Sequence, residues 1–190
     1  MLLLVGLGNP GSNYTNTRHN IGFKIIDAIN AHFKLSKQKP KFKGLLTTGS
    51  IDEKKIYAIK PLTFMNNSGT AIKELIDYFK IDAKDVFVFH DDMDIDFGKI
   101  KAKFGGGSAG HNGIESIDKF IGKDYSRVRI GIGHPKQKKK VSNHVLEDFK
   151  EDEEEKINDI TENIVKQLPT LIEKKIDLFS SKVNQDLNGI

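Results

Sequence analysis

Short apolar runs alternate along this chain with longer segments whose apolar residues recur at helical spacing. This alternation limits the fold more than any other feature, because short apolar runs predict buried strands and a 3.6-residue period predicts one-sided helices. The predicted strands cover residues 2–5, 42–51, 54–60, 86–89, 99–104 and 128–132. With no internal repeat and no long linker, we predict a single α/β domain over residues 1–190, with a mixed, twisted sheet flanked by helices.

Helices are predicted between and after these strands. They cover residues 21–33, 67–80, a segment around 114–121, and the acidic stretch 151–168. Pro169 should kink the acidic helix or begin a new helix ending near Phe179, because proline lacks a backbone donor. Residues 180–190 are predicted to form a loose tail.

Composition excludes several classes of protein. The 190 residues contain no cysteine, which excludes disulfide scaffolds, thiolate metal sites and cysteine nucleophiles. The apolar start is too short for a signal peptide, and no run approaches the ~20 apolar residues that cross a bilayer. We therefore expect a soluble, cytoplasmic protein.

Positive charge is concentrated in the middle of the chain. The formal net charge is +4, yet residues 96–140 carry 11 basic and four acidic side chains, whereas residues 141–190 carry six and 12. A compact basic segment favours an anionic partner, although ordinary solvated lysines would give the same composition. Lys99, Lys101 and Lys103 alternate with apolar residues, so their side chains share one face of the predicted strand.

Two short motifs match known binding sites but lack the surrounding pattern. Residues 6–11 fit the dinucleotide fingerprint G-x-G-x-x-G, but a polar loop follows instead of a helix, and Pro10 removes an amide. Residues 92–96 resemble the start of a calcium loop, but Lys103 occupies the position of the closing acid. Neither a nucleotide cofactor nor a metal is predicted.

A third motif leaves a catalytic alternative open. Residues 106–110 fit G-x-S-x-G, the turn that carries the nucleophile of many esterases. That turn normally follows a buried central strand, whereas the strand before it here has alternating lysines. A serine esterase that uses Ser108 is kept as an alternative.

Five polar residues lie in or beside glycine-rich or turn-rich loops: Asn9, His19, Asn66, Asp91 and Asn112. Two of them follow strands predicted to be buried neighbours, and loops at the carboxyl ends of such strands converge in one crevice. A histidine can take a proton from water, a carboxylate can orient it, and carboxamides can donate to a carbonyl oxygen. Each residue alone would equally suit a turn or a helix cap. Together they suggest a hydrolytic site without an obvious protein nucleophile.

Six motifs, taken in order, resemble the bacterial peptidyl-tRNA hydrolase family over nearly the whole chain. They are residues 6–11, 17–20, 64–66, 90–94, 110–113 and 129–135. The resemblance implies the peptidyl-tRNA hydrolase-like (phosphorylase-like) fold. It also implies hydrolysis of the ester between a peptide and the 3′-terminal ribose of tRNA, without cofactor or metal. A cytoplasmic monomer that acts in translation and ribosome rescue is the accompanying expectation.

The same resemblance implies a role for each candidate residue. His19 would activate water without a covalent intermediate, and Asp91 would orient and polarise His19. The implied substrate-binding residues are Asn9, Tyr14, Met65, Asn66 and Asn112, and the implied tRNA-phosphate contacts are Lys101, Lys103 and Arg129. A non-catalytic RNA-binding relative is the alternative from another class. We further predict a distance of about 2.6–3.2 Å between a His19 ring nitrogen and an Asp91 carboxylate oxygen.

Overall fold

The computed structural model of the chain describes residues 1–135 and 141–188. Its strands are β1 (Leu2–Gly6), β2 (Lys39–Lys41), β3 (Gly44–Ile51), β4 (Lys54–Pro61), β5 (Val86–Asp92), β6 (Ile100–Phe104) and β7 (Ser126–Gly131). Its helices are α1 (Ile21–His32), α2 (Ser68–Phe79), α3 (Asn112–Ile121), α4 (Val141–Val145), α5 (Glu151–Ile172) and α6 (Ile176–Asn188). The lysine-rich run at residues 136–140 and the last two residues lie outside the described ranges.

The strands form one mixed sheet in the order β2-β3-β4-β1-β5-β7-β6. Strands β4, β1, β5 and β7 are parallel, and the outer pairings are antiparallel. The central strands β1 and β5 are buried along their whole length, as expected when helices cover both faces. The predicted α/β class with a mixed sheet is confirmed. The short edge strand β2, a Lys-Pro-Lys segment, was not predicted.

Two apolar clusters hold the helices against opposite faces of the sheet. Helices α1, α5 and α6 contribute to one cluster, and α2 and α3 contribute to the other. This arrangement leaves the carboxyl ends of the parallel strands as the edge where loops meet. Within the described ranges, no helix combines the length and the apolar character needed to cross a membrane.

The C-terminal part of the chain is more ordered than the sequence predicts. Helix α5 runs through Pro169, and the next helix begins at Ile176. The loose tail predicted for 180–190 is wrong for residues 180–188, which belong to α6. Val183 is buried, and the Asn184 carboxamide bonds both the amide and the carbonyl of Ile100 on the edge strand β6. These contacts join segments 84 residues apart, so local sequence gives no sign of them.

Helix α1 meets the sheet at a contact of backbone against backbone. A Cβ added to Gly22 would overlap the backbone of Leu7 and Phe89, and a Cβ on Gly6 would overlap the carbonyl of Gly22. The first turn of α1 therefore touches the end of β1 and the middle of β5 directly. The short 3-10 helix Arg18–Asn20, which carries His19, immediately precedes this contact.

Gly22→Ala should destabilise the protein by about 2 kcal/mol. Overpacking against backbone costs up to about 3 kcal/mol, and the better helix propensity of alanine recovers about 1 kcal/mol. Gly107→Ala is the matched control, because a Cβ there would meet no atom of the described residues within 4 Å apart from its chain neighbours. Urea unfolding measures both. Equal free energies of unfolding for the two variants would contradict the tight contact.

Candidate active site

The carboxylate of Asp91, at the end of β5, accepts hydrogen bonds from two imidazoles. Nδ1 of His19 lies 2.7 Å from Oδ1 of Asp91, and Nε2 of His111 lies 3.0 Å from the same oxygen. The predicted His19–Asp91 contact is confirmed. Because an ionised carboxylate only accepts, Nδ1 of His19 carries the proton and Nε2 carries the lone pair. That lone pair can take a proton from water.

Asp91 is held in its ionised form although it is buried. Burial by itself raises the pKa of Asp91, but the imidazoles of His19 and His111 outweigh this effect and hold the pKa well below its usual range. The carboxylate is therefore charged at neutral pH. It can stabilise the imidazolium that forms when His19 accepts a proton.

His111 caps helix α3 with its other ring nitrogen. Nδ1 of His111 accepts hydrogen bonds from the amides of Gly113 at 3.1 Å and Ile114 at 3.3 Å. One imidazole thus links the start of α3 to the carboxylate of Asp91. Sequence reasoning gave His111 no role, although its position directly before a predicted helix was an available signal.

His90 lies against His111 and is fully enclosed. Its Nδ1 donates to the backbone carbonyl of Asp91 at 2.8 Å, and its Nε2 has no partner among the described residues. The His90 and His111 rings meet edge to face, with centroids 4.8 Å apart. Burial, followed by the charge of a neighbouring His111, lowers the pKa of His90 to about 3. His90 is neutral under ordinary conditions.

Asn9 is fixed by bonds from two other loops. Oδ1 of Asn20 accepts from the Asn9 amide at 2.8 Å, and Nδ2 of Asn20 donates to the Asn9 carbonyl at 2.9 Å. Oδ1 of Asn9 accepts from the Met65 amide at 2.8 Å. Nδ2 is therefore the donor that Asn9 can offer to a substrate. Sequence reasoning placed Asn20 in a motif but missed this clamp, which joins the His19 turn to the end of β1.

A cavity of about 390 Å³ opens beside the two imidazoles. Its walls include His19, Asp91, Asp92, Asp94, Ser108, His111, Asn112, Ser142 and Val145. The last two belong to α4, so the segment after the lysine-rich run forms one side. The cavity thus unites the predicted catalytic pair with one of the five predicted substrate-binding residues, Asn112.

The other four predicted substrate-binding residues lie outside the cavity wall. Asn9 and Met65 are joined by their hydrogen bond, and Met65 is buried in the apolar cluster under α2 and α3. Asn66 is exposed in the short 3-10 helix before α2. The Tyr14 ring meets the exposed ring of Phe64 edge to face, with centroids 6.3 Å apart. These residues follow the carboxyl ends of β1 and β4.

The predicted phosphate-binding residues share one face of the sheet. Lys101 is paired in register with Arg129, and Lys103 with Arg127, so their side chains project to the same side. Nε of Arg129 donates to Oδ2 of Asp92 at 2.7 Å, and Asp92 lines the cavity. Burial, followed by the nearby guanidinium groups, lowers the pKa of Lys103. The basic face therefore begins at the edge of the cavity.

Ser108 has the wrong partner for a nucleophile. Its hydroxyl donates to Oε1 of Glu115 at 3.1 Å and accepts from the Gly110 amide at 3.2 Å. The hydroxyl proton therefore faces a carboxylate on α3 rather than an imidazole. This arrangement does not support the serine esterase alternative.

Comparison with known proteins agrees with the geometry. The sequence model of the family described as "Peptidyl-tRNA hydrolase" matches residues 3–189. A peptidyl-tRNA hydrolase of Pelagibacter ubique (strain HTCC1062) is 71% identical over 184 residues, which cover 97% of this chain and 99% of the relative. One from Ehrlichia ruminantium (strain Welgevonden) is 48% identical, with coverage of 95% and 93%. The chain belongs to the peptidyl-tRNA hydrolase family.

A solved structure confirms the fold expected of this family. The crystal structure of peptidyl-tRNA hydrolase from Acinetobacter baumannii superposes with a TM-score of 0.90 at 34% sequence identity. The match covers 97% of this chain and 94% of that one. Both the family resemblance and the fold predicted from the sequence are confirmed.

The two imidazoles and the carboxylate also have the composition of a metal site. The candidate ligand atoms of His19, Asp91 and His111 lie within 4.8 Å of one another. A metal ion bound by all three would have to displace the ring protons through which His19 and His111 donate to Asp91, because metal ligands bind in their deprotonated forms. The expectation that this family member works without a metal stays a prediction.

Buried His90 should make the free energy of unfolding fall in acid. A histidine in the unfolded chain takes a proton near pH 6.5, whereas folded His90 does so only at about 3. Since the unfolded state binds more protons between these values, lowering the pH from 7 to 5 should cost roughly 2 kcal/mol through this residue. His90→Gln should show a pH dependence smaller by about that amount.

Urea unfolding at both pH values measures this difference. His32→Gln, at an exposed position near the end of α1, is the matched control and should behave like the wild type. A wild-type pH dependence in His90→Gln would show that His90 is not the group responsible.

Proposed function

We propose that this chain hydrolyses the ester bond between a peptide and the 3′-terminal ribose of tRNA, with His19 as the general base. The observation that carries the proposal is the 2.7 Å contact between His19 and the ionised, buried Asp91, at the wall of a cavity. The proposal also holds that the chain is a cytoplasmic monomer, that it acts in translation and ribosome rescue, and that it needs no cofactor or metal.

The reaction needs two proton transfers, one from water to His19 and one from His19 to the leaving group. Nε2 of His19 takes a proton from water as the water oxygen attacks the ester carbonyl. Asp91 stabilises the resulting imidazolium through the Nδ1–H bond. The proton then passes to the departing ribose oxygen, which yields a free peptide carboxyl group and tRNA. The carboxamides of Asn112 and Asn9 are suited to orient the substrate or to stabilise its carbonyl oxygen as charge develops.

The basic face next to the cavity suits the tRNA part of the substrate. Lys101 is exposed and Lys103 and Arg129 are half-buried, so all three can reach an anion on that side of the sheet. Contacts to phosphate position a nucleic acid without reading its sequence. An enzyme for any peptidyl-tRNA requires such recognition.

His19→Ala should reduce kcat by about 100- to 10,000-fold, the usual contribution of a general base. The assay is release of labelled peptide from an N-blocked aminoacyl-tRNA. Ser108→Ala is the matched control at the same cavity, and its kcat should stay within about twofold of the wild type, since the Ser108 hydroxyl bonds Glu115 and Gly110 rather than an imidazole.

The remaining outcomes favour the alternatives. Loss of activity in Ser108→Ala with retention in His19→Ala would indicate a serine esterase. Failure of the wild type to cleave, together with salt-sensitive tRNA binding, would indicate a non-catalytic RNA-binding relative.

Lys101→Gln and Lys103→Gln should raise KM for the tRNA substrate while leaving kcat near the wild-type value. Each lost phosphate contact should also reduce the slope of log affinity against log salt by about one. Lys55→Gln is the matched control, because Lys55 is exposed at the start of β4, at the opposite end of that strand from the candidate site. An unchanged salt slope in the Lys101 and Lys103 variants would place the tRNA elsewhere.

A further inference from the structure

We infer that His111 is a positioning residue that shares Oδ1 of Asp91 with His19 and thereby sets the pH range in which His19 acts as a base. The inference rests on the proposed function. It differs from a direct catalytic role, because His111 acts on the reaction through Asp91.

The cap on α3 fixes which nitrogen of His111 carries the proton. Nδ1 accepts from the amides of Gly113 and Ile114, so it must be unprotonated. The proton of the neutral ring therefore lies on Nε2, which donates to Asp91. A second proton on Nδ1 would break the cap and add positive charge at a helix N-terminus, where the helix dipole disfavours it.

His19 and His111 compete for the charge of one carboxylate oxygen. Both donors contact Oδ1 of Asp91, at 2.7 Å and 3.0 Å. Each hydrogen bond to the carboxylate reduces the negative charge available to the other donor. Without the His111 bond, Asp91 would hold the imidazolium of His19 more strongly. His19 would then remain protonated, and unable to take a proton from water, up to a higher pH.

The other titratable groups around Asp91 have partners of their own or do not change charge near neutral pH. His90 on β5 is neutral, and Asp92 is paired with Arg129 of β7. Further pairs near the cavity are Asp94 with His134, Glu115 with Ser108, Arg18 with Glu153, and His144 with the Gly133 carbonyl. The acidic limb of the activity profile should therefore report His19 in its bond to the shared carboxylate of Asp91.

The same bond holds α3 in place relative to the base. Asn112 is the first residue of α3 and lines the cavity. Because the imidazole of His111 bonds both the first turn of this helix and Asp91, it couples the position of Asn112 to that of the catalytic pair.

Two substitutions separate the cap from the carboxylate bond. Asparagine is a good N-cap, but its short side chain keeps the cap without reaching Asp91. His111→Asn should therefore move the acidic limb of kcat/KM to higher pH by about half to one unit, the size expected for one lost hydrogen bond to a carboxylate. At pH 6 its kcat/KM should fall about three- to tenfold, with a smaller change at pH 8. His111→Ala should show the same shift and also a Tm lower by about 2–4 °C, because the cap is lost.

The control is His134→Asn, an exposed histidine beside the cavity that contacts Asp94 and not Asp91. Its acidic limb should match the wild type. A lower Tm in His111→Ala with an unmoved acidic limb in both His111 variants would show that His111 is only a helix cap and would overturn the inference.

Nitrogen-15 NMR of the histidine side chains tests the inference without any need for activity. At pH 7 the spectrum should show His111 as the Nε2–H tautomer, with chemical shifts typical of a hydrogen-bonded ring N–H. The signals that are missing from the spectrum of His111→Asn identify those of His111. A Nδ1–H tautomer, or a His111 ring that gains a proton together with His19, would overturn the inference. If the wild type cleaves no peptidyl-tRNA while NMR shows the expected tautomer, the proposed function fails and the shared-carboxylate arrangement survives.

Discussion

Backbone touches backbone where the first turn of α1 meets the end of β1 and the middle of β5, and the geometry of the site depends on this contact. Only residues without a side chain fit at Gly6 and Gly22, since a Cβ on either would overlap main-chain atoms. The turn that carries His19 is therefore held at the level of the strand ends. A helix one side chain further from the sheet would leave His19 several ångströms from Asp91, too far for the 2.7 Å hydrogen bond.

The second requirement is electrostatic. A carboxylate removed from water is costly unless hydrogen bonds and opposite charge compensate for the lost hydration. Asp91 receives that compensation from His19 and His111, which is why burial fails to raise its pKa. The same bonds that keep the charge in place also fix the tautomers of both rings. Stability of the buried charge and readiness of His19 to accept a proton therefore have one structural cause, and a change in either donor must alter both.

Periodicity and apolar runs predicted most of the elements, because each depends on residues close in sequence. The pairing of His19 with Asp91 was implied by the family resemblance, whereas the strand pattern by itself brings only Asn9 and Asp91 to one edge of a parallel sheet. The roles of Asn20 and His111 were not predicted, because each depends on two polar atoms of one side chain acting together. Asn20 bonds both backbone groups of Asn9, and His111 joins Asp91 to the first turn of α3. Helix α6 was missed for a related reason: Ser180 and Asn184 bond the backbone of β6, and a strand edge leaves no pattern in the sequence of its partner.

The acidic C-terminal segment, which would repel tRNA if its charge were free, is used to anchor the site. Glu153 in the first turn of α5 pairs with Arg18 at 2.8 Å, and Glu154 pairs with Lys24 at 2.9 Å. These two cations flank His19 in the sequence, so α5 helps to hold the turn that carries His19. At the β6 edge of the sheet, side chains of α6 accept hydrogen bonds from the backbone amides of Ile100 and Ala102. The side chains of Lys101 and Lys103 alternate with these residues and lie on one face of the same strand. The fold thus pairs acidic groups at the start of α5 with the cations on either side of His19.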